Sequence, residues 1–122
     1  MDPESFEALV AEALETLPEF FREKLNNVVV LVEDWPDRET LRLAGARSPA
    51  ALLGFYHGIP LTERTSGYNL VAPDEIIIYQ KPIERVCRTK AEIIAQVRRT
   101  VMHEIAHHFG ISDARLREIG AY

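Results

Sequence analysis

Residues 89–110 read TKAEIIAQVRRTVMHEIAHHFG. Thr89 suits the N-cap of a helix, and Glu92 follows three residues later, the spacing of a capping box. Neither proline nor glycine interrupts residues 90–109, and Gly110 supplies a stop, so the pattern predicts one long helix from Lys90 to Phe109. Taking about 100° per residue with His103 at zero, His107 falls near 40° and Glu104 near 100°. Ile94, Val97, Val101 and Ile105 fall at about 120–200° on the same wheel. Ala91, Ala95, Met102, Ala106 and Phe109 flank that apolar stripe. The expected helix therefore buries its back and turns a polar strip bearing His103 and His107 towards a cleft.

Within the strip, His103-Glu104-Ile105-Ala106-His107 has the form H-E-x-x-H. Positions i and i+4 share one helical face, so both imidazoles can reach a single ion. Gly110 lets the chain leave the helix beneath them, and Asp113 follows closely enough to fold back as an oxygen ligand. Two imidazole nitrogens and a carboxylate, with a fourth position open to water, form a catalytic type of zinc site. Zinc lowers the pKa of such a water to about 7. Glu104, adjacent to the ligands without being one of them, is the candidate general base. Two readings of Asp113 stay open, because Ser112 or Asp113 can also cap a short last helix. Glu118 is an alternative carboxylate ligand.

Other chemistry-bearing side chains carry less. His108 falls near 140°, away from the metal face, and is expected to pack. His57 reads as a surface residue at the end of a strand, and Cys87 as an inert thiol. Tyr68, Tyr79 and Tyr122 are candidates to donate to a developing oxyanion, with a structural role as the default for each.

Working outward, Asp2 and Pro3 open an amphipathic helix over residues 2–16, with Phe6, Leu9, Val10, Ala13, Leu14 and Leu17 at helical spacing. Pro18 ends it and opens a second helix over 19–25. Val28 to Glu33 is a β-branched strand whose five successive apolar residues suggest cover on both faces. Asp37 to Ala46 suits a short helix. Leu52 to His57 is a second strand, placed at an edge by Gly54 and by Gly58-Ile59-Pro60. Thr62 to Asn69 is polar and irregular, Glu75 to Tyr79 is a third strand ended by Lys81-Pro82, and Ala114 to Ile119 is a last helix. The order predicts an α+β fold with a small mixed three-stranded sheet, in a single domain over residues 1–122.

Composition narrows the partners. The 122 residues are 47% hydrophobic and 27% charged, ordinary for one folded domain. The net charge of −5 lacks the electrostatic footprint of a nucleic-acid binder. Arg85, Arg88, Lys90, Arg98 and Arg99 read as solvated charges. Nothing approaches the roughly 18-residue apolar run that a membrane span needs. The acidic start, Met1-Asp2-Pro3-Glu4, argues against a secretory signal, and one cysteine fits a reducing cytoplasm.

His103-Glu104-x-x-His107-x-x-Gly110-x-x-Asp113 resembles the metzincin-type signature. Together with residues 52–65 and 76–82, it makes most of the chain similar to the small bacterial minimal-zincin metallopeptidases. The resemblance implies a minimal zincin-like fold, with N-terminal helices, a long active-site helix and a short C-terminal helix. It implies zinc held by His103, His107 and Asp113, with Glu104 as base and a peptide or protein substrate. By analogy with zincins, that substrate lies extended along the 52–57 edge. No methionine follows Asp113, so the chain departs from metzincins in lacking a Met-turn. A non-catalytic zincin module is the competing reading. A helix-turn-helix built on Ala106, Gly110 and Leu116 is a further one.

Overall fold

A computed structural model of the protein describes residues 1–58 and 72–119. Helices α1 (Pro3–Glu15) and α2 (Glu19–Lys24) precede strand β1 (Val28–Glu33). Helix α3 (Arg38–Ala44) and a 3₁₀ turn (Pro49–Ala51) lead into β2 (Gly54–His57). Strand β3 (Asp74–Tyr79) runs directly into α4 (Gln80–Val86), followed by α5 (Lys90–Phe109) and α6 (Asp113–Glu118). The strands form one mixed sheet in the order β1-β3-β2, with β1 parallel and β2 antiparallel to β3. The fold is therefore the expected small α+β arrangement. Thr62 to Asn69, Ile59-Pro60, Tyr68 and Tyr122 lie outside the described residues.

Each helix begins where its sequence provides an acceptor for an otherwise orphaned N–H. The Asp2 carboxylate accepts from the Ser5 amide, Asp37 from the Thr40 amide, and Thr89 from the Glu92 amide in a complete capping box. Each such cap is worth about 1 kcal/mol. Helix α5 ends at Gly110, whose φ of 66° admits the left-handed turn. The Ile111 N–H then donates back to the Ala106 carbonyl at 2.8 Å.

The core lies between the helices and one face of the sheet. Phe6 and Ala13 of α1, Phe21 of α2, Ile76 and Ile78 of β3, Ile83 of α4 and Val97, Val101 and Ile105 of α5 are fully buried. Burying each large side chain contributes roughly 1.5–3 kcal/mol, before the entropy lost on ordering it.

Three expectations need correction. Strand β1 is not covered on both faces: it forms an edge of the sheet, Val29 is 39% exposed, and Val28, Val30 and Val32 are only half-buried. The buried strand is β3, because β2 and β1 pair with its two sides and leave β1 without an outer neighbour. Five successive β-branched or aliphatic residues thus reflect strand propensity, not two-sided burial. Second, helix α4 was not expected, since Pro82 reads as a breaker. It stands in the first turn, where its missing N–H has no helical acceptor to satisfy. Third, Ala91, Ala95 and Phe109 are exposed, and Ile94 is only half-buried. The buried arc of α5 instead takes in Ile93 and Thr100, because the helix packs against β2 as well as α1.

That last contact runs through Gly54. A Cβ at this position would stand 2.6 Å from the Thr100 Cγ2 and 3.1 Å from the Ile77 carbonyl oxygen. Gly54→Ala should therefore destabilise the fold by about 1–3 kcal/mol through overpacking. Thr100→Ser removes the offending methyl and keeps the hydroxyl that accepts from Gln96 Nε2. Denaturant melts of the double-mutant cycle should show the serine recovering most of that loss; strict additivity would contradict the contact.

Candidate functional site

The last turns of α5 pass across the outer side of β2. His103 and Glu104 are half-buried there, and His107 is exposed. All three line a cleft of about 230 Å³ closed on the other side by residues 51–54, with Gln96, Arg99 and Thr100 along its wall. A second cleft of about 400 Å³ opens beyond Leu52 and shares Leu52, Glu104 and His107 with the first. It is lined further by Ala44, Phe55, Tyr56 and His108. The H-E-x-x-H turn thus stands between a polar hollow and a more apolar one. A larger groove of about 510 Å³ runs between α1 and β1, but Glu7 and Glu33 are its only ionisable lining residues.

Glu104 is fixed by the sheet. Its Oε1 accepts the backbone N–H of Tyr56 at 2.9 Å. Burial pushes the Glu104 carboxyl above its usual range, while the Tyr56 amide and the neighbouring His107 charge pull the other way. Tyr56 is itself held on two sides. Its ring stacks on His108 at 3.9 Å between centroids and 15° between planes, and its hydroxyl donates to Asp74 Oδ2 at 2.7 Å. His108 is therefore packed against a strand aromatic, as its position on the wheel implied. Phe109 meets both rings edge-on, and Lys24 Nζ lies 4.9 Å from the Phe109 centroid.

Asp113 occupies the first position of α6. The cap of that helix is Ser112, whose Oγ accepts from the Arg115 amide at 3.1 Å, so Asp113 does not serve as the cap. Glu118 is ion-paired with Arg115 at 3.0 Å. Among the described residues, no three His, Cys, Asp or Glu side chains stand close enough together to hold a metal ion. The structure thus gathers His103, Glu104 and His107 into one cleft and does not gather Asp113 with them. Two imidazoles one turn apart on a shared wall, beside a carboxylate held by a strand amide, are a donor set whose chemistry fits a divalent cation.

Elsewhere the expectations stand or narrow. Tyr79 is fully buried, which removes it from the groups able to touch a substrate, and burial raises its phenol pKa. Cys87 donates to the Glu92 carbonyl at 3.5 Å, and burial pushes its thiol up, as an inert thiol should behave. His57 is exposed at the end of β2. Gln96 was not singled out from the sequence, although it falls near 20° on the wheel, between the two histidines. The Tyr56 amide could not have been, because a backbone donor has no side-chain signature. No helix among the described residues is long and apolar enough to cross a membrane.

No curated protein matches the chain. A family model for zincin-like metallopeptidases matches residues 25–121, taking in every element from β1 to α6 and leaving out α1 and α2. With that match over most of its length, and an H-E-x-x-H helix laid against an edge strand, the chain belongs to the zincin-like metallopeptidase family.

Proposed function

We propose that the protein is a zinc-dependent peptidase-like hydrolase, with His103, His107 and Asp113 as metal ligands and Glu104 as general base. The observation that carries this reading is the meeting of both imidazoles and the glutamate in one cleft bordered by β2. Family membership implies a divalent metal, typically zinc. Such an ion supplies a Lewis acid and a water of lowered pKa. Glu104 takes a proton at its carboxylate and returns it to the leaving amine nitrogen. Strand β2 offers an edge along which an extended peptide or protein segment can pair. The net charge of −5 and a six-residue α6 favour no nucleic-acid partner, and the single thiol Cys87 suits a cytoplasmic setting.

Metal analysis of untagged protein tests the ligand set. Wild type should carry zinc in a 1:1 ratio, and His103→Ala and His107→Ala should each lose it. Loss in Asp113→Ala as well makes that residue the third ligand, and retention there demotes it. A second reading, a non-catalytic module of the same fold, draws support from Asp113 standing apart from the histidines. Zinc-loaded protein that cleaves no peptide would favour it.

A further inference from the structure

We propose that β2 restrains Glu104 in the free protein, and that an extended peptide adding to β2 displaces it by competing for the Tyr56 amide. This rests on reading Glu104 as the base. Strand β2 pairs antiparallel with β3, with Phe55 opposite Ile77 and His57 opposite Glu75. The Leu53 carbonyl faces β3, where it accepts from the Tyr79 amide at 3.0 Å. Backbone polar groups alternate in direction along a strand, so those of Phe55 and His57 face β3 and those of Gly54 and Tyr56 face outward. The bond from the Tyr56 N–H to Glu104 agrees with that alternation. The outer side of the strand therefore has the amides of Gly54 and Tyr56 as its donors, and the glutamate already occupies the second.

An amide carries one hydrogen, so a ligand carbonyl and the Glu104 carboxylate cannot both take it at full strength. The donor is the rigid member of this pair. The Tyr56 ring is stacked on His108, its hydroxyl is bound to Asp74, and Gly54 seats the strand against Thr100. Glu104, on a rotatable side chain, is the member that moves. A partly buried carboxylate without a donor is costly. Once displaced, it turns to the hollow lined by His103 and His107. Strand addition and release of the base then become one event, and a ligand that does not extend along β2 leaves the glutamate restrained.

Two variants separate the terms: Glu104→Gln keeps an oxygen for the Tyr56 amide, and Glu104→Ala does not. Amide hydrogen exchange should show Tyr56 exchanging at least about tenfold faster in Glu104→Ala than in wild type. Phe55 and His57, bonded to β3, should stay protected in both variants, which also certifies the fold. The capped peptide Ac-Lys-Val-Ala-Val-Ala-Lys-NH2, followed by amide shifts of residues 54–57, should bind Glu104→Ala about fivefold tighter than Glu104→Gln. Unchanged Tyr56 exchange, equal affinities, or no binding to either variant at millimolar peptide would each overturn the competition. Zinc content of the same samples keeps the two ideas apart. Stoichiometric zinc with no peptide competition spares the metallopeptidase reading, and metal-free protein with a competing peptide spares the competition alone.

Discussion

Replacing Glu104 with glutamine should lower peptide hydrolysis by about 10²–10⁴-fold while bound zinc stays at the wild-type ratio. Glutamine is nearly isosteric and keeps an oxygen facing the Tyr56 amide, so the wall of the cleft retains its shape. What it loses is the capacity to take up and return a proton. The metal ligands stand on either side of it, at His103 and His107, and neither changes. Because Glu104 is half-buried and its bond to the strand can persist, melting should move little. Steady-state kinetics on the zinc-loaded proteins, with metal analysis on the same preparations, decides the matter. Equal rates in the two proteins would remove the general-base mechanism.

The neighbouring position should behave in the opposite way. Ile105 is fully buried in the main core, about 100° around the helix from Glu104. Ile105→Ala should cost about 2–5 kcal/mol, the sum of the lost burial and the cavity left behind. The midpoint of denaturant unfolding should fall accordingly, with its slope unchanged. The protein that remains folded should still bind zinc in the wild-type ratio, since the imidazoles lie on the other side of the helix. A loss below about 1 kcal/mol would mean that the back of α5 is not packed as described. Adjacent residues would then have separated chemistry from stability on a single turn.

These two predictions rest on features legible before any coordinates. The capping box at Thr89 and Glu92, the glycine stop at Gly110 and the placement of His103, Glu104 and His107 follow from spacing alone. The wheel was right about Val97, Val101 and Ile105 and wrong about Ala91, Ala95 and Phe109. The error has a direction: α5 meets β2 as well as α1, so burial extends to Ile93 and Thr100. Small residues such as Ala91 and Ala95 are compatible with either side of a helix, and an aromatic near a helix end can lie on the surface under a lysine, as Phe109 does under Lys24.

Side-chain periodicity is a local property, readable from residues three or four apart, and it suffices for the active-site helix, its two ends and the common wall of its histidines. The neighbours of a strand are a non-local property. Nothing in Val28 to Val32 announces an edge rather than a centre, and the pairing of β3 between β1 and β2 settles it. The Tyr56 amide against Glu104, the Gly54 seat on Thr100 and the separation of Asp113 from the histidines belong to the same kind. Each depends on backbone direction or on distance between segments far apart in the chain, and neither leaves a mark in residue type.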